Sequence, residues 1–228
     1  MLDAISSGSR YIIDLLKLYQ DDLLFYTGQH LMLVGISMAL ALSIGLVAGI
    51  VLSRPSMRRY GEIGMQVFSV ANAVPPMAVL MIALIMFGIG EVPTIIALCL
   101  GSLLPIARNT YQGLLSVNPS MREAARGIGL TPSQQLWLVE LPNAVPSIMG
   151  GVRTALAINV GSAPLAYLIG ANSLGSLILP GMYLHDHIKL IIGVVATSLL
   201  ALVLDGVMAL LTRLIAPRGA LSSKPAAF

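Results

Sequence analysis

Seven charged residues stand where their chemistry should matter. Arg108, Arg153 and Asp205 lie inside otherwise apolar stretches, while Arg122, Glu123, Arg126 and Glu140 interrupt those stretches near the middle of the chain. An isolated charge among apolar residues is costly unless it is paired or faces water. The first three therefore suggest an intramembrane ion pair, with Asp205 against Arg108 or Arg153, or else a charge within a polar path. Bond-breaking chemistry finds few candidates. The single cysteine, Cys99, sits in an apolar run and reads as a small buried hydrophobe, not as a disulfide partner or metal ligand. His185 and His187 flank Asp186 without any further ligand cluster nearby, so a loop contact or plain solvent exposure is expected there and no metal. His30 lies at the edge of an apolar block and no histidine lies deep within one, which disfavours an intramembrane hydrolase. A Gly-x-x-x-x-Gly-Lys-[Ser/Thr] phosphate loop is also missing, so this chain is expected to bind no nucleotide itself.

The elements that must position these residues follow from composition. Of the 228 residues 57% are hydrophobic and only 10% charged, against roughly 25% charged in an ordinary soluble domain. Mean hydropathy is +0.88. The apolar residues come in blocks near 28–52, 62–88, 93–115, 143–169 and 188–213, each close to the ~20 residues that span a bilayer as a helix. They do not alternate as barrel strands would. The expected fold class is an all-α polytopic membrane protein with five spans, in contact with membrane lipid; no nucleic-acid partner is expected. Arg54, Arg58, Arg59, Arg122, Arg126, Arg213, Arg218 and Lys224 share one side by parity, against Arg10, Lys17 and Lys189 on the other. The excess of basic residues places the first group in the cytoplasm, the N-terminus outside and the C-terminus inside. Residues 1–22 carry four aspartates and no unbroken apolar core, so they are not a signal peptide. Ile12, Leu15, Leu16 and Tyr19 share one helix face there, and an interfacial helix is expected, with a disordered tail as the alternative.

Within the second block, Pro75 and Pro76 break an apolar run. Proline removes a backbone donor and clashes with the preceding turn. The break is either a packed kink or a broken helix lining a path, where protein or water receives the freed groups. Asn72, Asn159 and Ser162 are candidate polar lining groups for such a path; each could equally be a satisfied interhelical hydrogen bond. Gly45 and Gly49 form a weak small-xxx-small signal for close helix approach.

The polar interruption carries its own folding signals. Asn118-Pro119 reads as an N-cap followed by proline at the first helical position. Gly129 ends that helix, and Thr131-Pro132-Ser133-Gln134 repeats the start with capping-box spacing. Residues 132–140 are then a second short helix before Leu141-Pro142 enters the next span. A solvated loop would need neither cap, nor Ala124, Ala125, Leu136 and Trp137 among the charges. A helix that pairs small residues with charges suits insertion into a partner's groove.

The spacing Glu123-Ala124-Ala125, Gly129, Val139-x-Leu141-Pro142 resembles the EAA motif of ATP-binding-cassette importer permeases, with valine in place of isoleucine. Residues 87–129 and 167–182, above all "LLPIARNTYQGL", resemble the permeases for glycine betaine, carnitine and choline. The resemblance covers nearly the whole chain. It implies the type I importer permease fold, like that of methionine permeases, in a multi-pass protein of the bacterial inner membrane. The implied layout is an outer segment 1–22, a transmembrane permease domain 23–217 with a coupling element 119–140, and a cytoplasmic tail 218–228. Implied partners are a cytoplasmic ATPase dimer that binds ATP and magnesium, a second permease chain (identical or related), and a periplasmic or lipid-anchored substrate-binding protein. The implied activity is passage of a quaternary ammonium osmoprotectant by alternating access, with no chemistry catalysed by this chain. A methionine or other amino-acid importer is the alternative, and an ATPase-independent secondary transporter a more distant one.

Overall fold

The computed structural model describes residues 17–215, and every regular element among them is helical. In chain order these are α1 (Gln20–Leu52), a 3-10 turn (Pro55–Met57), α2 (Arg58–Asn72), α3 (Pro76–Phe87), α4 (Glu91–Leu115), α5 (Pro119–Gly127) and α6 (Pro132–Gln135). A π-helical turn (Leu136–Glu140), α7 (Leu141–Ser162), a 3-10 segment (Ala163–Ile169), α8 (Gly175–Tyr183) and α9 (His187–Ile215) follow. Four helical stretches are long and apolar enough to cross a membrane: Gln20–Leu52, Glu91–Leu115, Pro132–Ile169 and His187–Ile215. The expected interfacial residues Ile12, Leu15 and Leu16, and the tail 218–228, lie outside the described residues.

Helix α4 is the centre of the bundle. It buries side chains along its whole length, against α1 on one flank and α7 on the other. Ala41 of α1, Leu103 and Ile106 of α4, and Ile148 and Val152 of α7 form one apolar cluster. Leu33, Leu98, Leu156 and Val160 continue it toward the opposite end, and Cys99 is buried within the first cluster. The small pair in α1 is where it approaches α4. A Cβ built on Gly49 would lie 2.6 Å from Thr110 Cβ, so only glycine lets the two backbones come this close. Helix α9 is the least embedded, packing on α7 and α8 with Gly193 its one buried residue.

One alternative is resolved and one expectation is corrected. The break in the block 62–88 is a broken helix and not a packed kink: α2 stops at Asn72 and α3 starts at Pro76. Each of the two adjacent prolines drives the residue before it out of the helical region, and Pro75 is accordingly extended at φ −56°, ψ 138°. Residues 132–140 are likewise not a free-standing helix, because α6 runs through the π turn directly into α7. Pro142 has no N–H for the carbonyl four residues earlier, and the local pattern shifts so that Leu141 N–H reaches Leu136 O, five residues back. Asn143 Nδ2 donates to Val139 O at 2.7 Å and restores a partner to the disturbed turn.

The ends of the helices meet in two groups. Gly90 N–H donates to Ile169 O at 2.8 Å, bringing the start of α4 beside the end of the 3-10 segment. At the other end, the termini of α1 and α4, Arg122 of α5, and the π turn before α7 converge on one cluster of charged side chains.

Candidate functional site

The convergence begins with α5. Asn118 accepts a hydrogen bond from Ser120 N–H at 3.0 Å, and Pro119 occupies the first turn, where its missing donor does no harm. The helix closes at Gly129, whose φ of +83° is a left-handed conformation that a side chain would strain. Leu130 N–H reaches Ala125 O at 3.0 Å and Gly129 N–H reaches Arg126 O at 2.9 Å, the paired bonds of a Schellman turn. A reciprocal capping box then starts α6: Gln134 N–H donates to Thr131 Oγ1 at 3.3 Å, and Thr131 N–H donates to Gln134 Oε1 at 2.9 Å. The two helices are thus held at a sharp, locally specified angle.

Helix α5 presents almost everything outward. Ala125 is its one buried residue, whereas Glu123, Ala124, Arg126 and Gly127 are exposed. Ile128 at 78% exposed and Trp137 and Leu138 at 65% surround them, and Leu141 and Pro142 are half-buried behind. Apolar side chains this exposed beside a charged helix have the composition of a docking face.

The rear of the element is different. Glu140 is buried, with its side chain 7% exposed, and it meets two arginines. Arg54 Nη1 lies 2.8 Å from Oε2 and Arg122 Nε lies 3.2 Å from Oε1, while Gln135 Nε2 donates to Oε1 at 3.3 Å. Each arginine also closes a helix end. Arg54 Nε donates to Ile50 O at 3.2 Å at the end of α1, and Arg122 Nη2 donates to Leu114 O at the end of α4. A cation is favoured at both places because the unpaired carbonyls of a helix C-terminus carry negative partial charge. Arg126, Glu62 and Tyr111 line the same cavity of about 490 Å³ beside this cluster. Sequence reasoning counted Arg54 only as a basic loop residue and placed Glu140 in an exposed element. The available signal was that the charge rule put both on one side, each next to the end of an apolar block.

A second cavity, of about 480 Å³, opens on the side of the bundle where α2 and α3 break. Phe68, Val74, Pro76, Leu80, Asn159 and Ser162 are among the residues that line it. Pro75 is the extended residue at the break, and Asn72 is the last residue of α2. Asn159 has little of its amide to spare, being 1% exposed, with Nδ2 donating to Ser102 Oγ at 2.8 Å and to Ser37 Oγ at 2.9 Å. It therefore ties α1, α4 and α7 together at the cavity's edge, while half-buried Ser162 is the more available group. Of the aromatic residues, Phe68 lines this cavity and Tyr111 the charged one, so the two do not converge on a shared site.

Asp205 of α9 pairs with Arg153 of α7 through two contacts, Nε–Oδ1 at 2.9 Å and Nη2–Oδ2 at 2.7 Å. Both side chains remain nearly half-exposed. Arg108 is exposed and makes no ion pair among the described residues. His185 occupies a left-handed turn (φ 57°) before α9.

With this geometry in hand, comparison with known proteins is informative. Residues 41–218 match the family described as binding-protein-dependent transport system inner membrane component. The osmoprotectant import permease protein OsmY of Salmonella typhimurium is 54% identical over 205 residues, covering 90% of this chain and 87% of that one. The choline transport system permease protein OpuBB of Bacillus subtilis is 36% identical, covering 92% and 95%. The glycine betaine/carnitine/choline transport system permease protein OpuCB of Bacillus subtilis is 37% identical, covering 87% and 90%. Among solved structures, a chain of the MetNI methionine ABC transporter in an inward-facing conformation superposes with a TM-score of 0.76 at 22% identity, covering 86% and 97%. That likeness establishes the shared fold. This chain is a multi-pass membrane protein and belongs to the family of binding-protein-dependent transport system inner membrane components.

Proposed function

We propose that this chain is the membrane-spanning permease subunit of an ATP-binding-cassette importer for quaternary ammonium osmoprotectants such as glycine betaine, choline or carnitine. The observation that carries the proposal is the doubly capped element 119–140, which exposes Glu123, Ala124 and Ile128 outward while its rear is fixed to the bundle through Glu140. A cytoplasmic ATPase dimer, holding ATP and magnesium, would grip that outward face, with Gly129, Leu141 and Pro142 setting its angle. The substrate assignment is supported by the relatives named for osmoprotectants and choline. The methionine-transporter likeness concerns the fold, and amino-acid uptake is the less supported reading.

The layout follows the same reading. Helices α2 and α3 together return the chain from the charged end to the opposite end, which favours five traversals with the N-terminus outside and the C-terminus in the cytoplasm. Residues 1–22 would lie at the outer face, 23–217 would form the permease domain and 218–228 the cytoplasmic tail. A second permease chain, identical or related, is supported by the half-exposed Arg153–Asp205 pair, which needs protein or water over it at membrane depth. The cavity between the α2–α3 break and Asn159 is the proposed wall of the passage, with Ser162 and Pro76 facing it. High-affinity capture would rest with a periplasmic or lipid-anchored binding protein at the bacterial inner membrane.

The test is co-purification of a candidate ATPase with the wild-type chain and with Glu123→Lys, followed by uptake of betaine, choline, carnitine and methionine by the full complex. Retention by the wild type, loss in the variant and uptake of a quaternary ammonium are expected. A wild-type chain that never retains an ATPase, or that takes up methionine alone, would overturn the proposal.

A further inference from the structure

Helix α5 is too short and too exposed to be held by packing. Ala125 is its one buried residue, and both of its chain connections are turns, at Ser116–Asn118 and at Gly129–Leu130. Nothing in that contact area would make the rest of the bundle follow if α5 were pushed. What joins it to the membrane helices is polar: Arg122 bonds the end of α4 directly, and the links onward to α1 and α7 pass through one carboxylate. Arg122 leaves α5, closes the end of α4 at Leu114 O and reaches Glu140 Oε1. The other oxygen of Glu140 holds Arg54, whose Nε bonds Ile50 O and whose Nη2 bonds Ser53 Oγ at 3.0 Å, at the end of α1. Glu140 itself sits in the π turn that runs without interruption into α7.

We propose that Glu140 is a positioning residue for transport: it makes α5 and the ends of α1, α4 and α7 move as one body, so that a displacement of α5 is delivered to three membrane helices at once. The proposal rests on the permease reading above and adds the route by which the stroke leaves the docking face. The physical basis is the cost of separating the charges. A carboxylate this shielded from water attracts both guanidiniums more strongly than a surface carboxylate would, so pulling either arginine away is opposed and the cluster tends to move together. The arginines in turn are anchored by carbonyls that belong to the helix ends. A surface ion pair would slip under load, being worth little and easily exchanged with water. Removing the carboxylate should therefore leave docking intact, since Glu123, Ala124 and Ile128 point the other way, and weaken the transmission.

The experiment uses the complete importer, permease with ATPase and binding protein, in lipid vesicles, and reads substrate transported per ATP hydrolysed. Glu140→Gln is expected to retain the ATPase and hydrolyse ATP while that ratio falls roughly tenfold, the scale on which coupling mutations act. Glu140→Asp, which keeps the charge on a shorter arm, should recover part of the ratio. Arg54→Gln should lower it too, and Arg54→Gln with Glu140→Gln should be no worse than Glu140→Gln alone, because both remove the same linkage. An unchanged ratio in Glu140→Gln, or losses that simply add, would overturn the proposal. So would loss of ATPase retention as complete as in Glu123→Lys, which would make Glu140 part of docking. Should Glu140→Gln fail to accumulate, Arg54→Gln and Arg122→Gln decide, and wild-type ratios in both would also overturn it. A wild-type complex without any ATPase would instead defeat the permease reading itself.

Discussion

Two arginine–carboxylate contacts of nearly equal length do different work in this molecule. Arg54–Glu140 measures 2.8 Å and Arg153–Asp205 measures 2.7 Å. The Glu140 side chain is 7% exposed and that of Asp205 47% exposed. Glu140 is also shared, with Arg122 and Gln135 on the same carboxylate, whereas among the described residues Asp205 meets Arg153 alone. Distance therefore says little about an ion pair's role. Burial and the number of elements joined say more. At Glu140 one shielded carboxylate serves two guanidiniums and an amide, so losing it is felt by several elements at once. At Asp205 the energetic meaning depends on what covers the pair, because lipid, water and a second protein chain would each set a different value.

Substitutions put this contrast to the test, and the largest effect is expected at the buried cluster. Glu140→Gln leaves two guanidiniums without a carboxylate and should cost on the order of 3–5 kcal/mol, read as a lowered midpoint in thermal unfolding of the detergent-purified chain. Asn159→Ala offers a neutral junction for comparison. It also ties three helices, through Ser37 and Ser102, and should cost about 1–3 kcal/mol by removing the two bonds that cross between helices, while both hydroxyls keep their backbone acceptors. If it proved as damaging as Glu140→Gln, charge would not be what distinguishes the cluster. Gly129→Ala strains the left-handed turn without touching either ion pair and should cost about 1 kcal/mol. Its effect should be larger on ATPase retention than on unfolding, since it changes the angle of α5 relative to α6. Asp205→Asn should have the smallest effect on the isolated chain, with the loss growing once the chain is assembled with its partners. Comparing the unfolding midpoint alone and in complex checks this, and an equally large loss in both states would contradict it.

How much of this was legible in the sequence varied with how local the determining interactions are. The caps around α5 were readable because Asn118, Gly129, Thr131 and Gln134 act within four residues of themselves. Most of the long helices were readable from apolar length alone, and Pro75-Pro76 announced a break, though not whether it would be a packed kink or two separate helices. The run of α6 into α7 was missed because Leu141-Pro142 looks like a boundary, and only the backbone shows a π turn absorbing the proline. Glu140 was hidden for a different reason. Its neighbours Trp137 and Leu138 are exposed, and its partner Arg54 is separated from it in the sequence by α2 to α6. Such a contact exists only once α1, α4 and α7 have packed. Asn159 shows the same gap in milder form, since a polar residue in a span can line a cavity or hold helices together, and here its amide mostly does the latter.

The claim on which the account rests is that an ATPase acts on the outward face of α5, at the end of the bundle where Glu140 sits. Site-directed cross-linking tests it most directly. With buried Cys99 replaced by serine, the complex would carry one new cysteine at a time, Ala124→Cys on α5 or Ile89→Cys at the opposite end, each labelled with a short thiol-reactive photo-cross-linker that can capture any neighbouring chain. A covalent permease–ATPase product from Ala124→Cys, together with none from Ile89→Cys, is the predicted result. An ATPase that cross-links through Ile89→Cys, or that co-purifies yet never cross-links through Ala124→Cys or Ile128→Cys, would contradict the account.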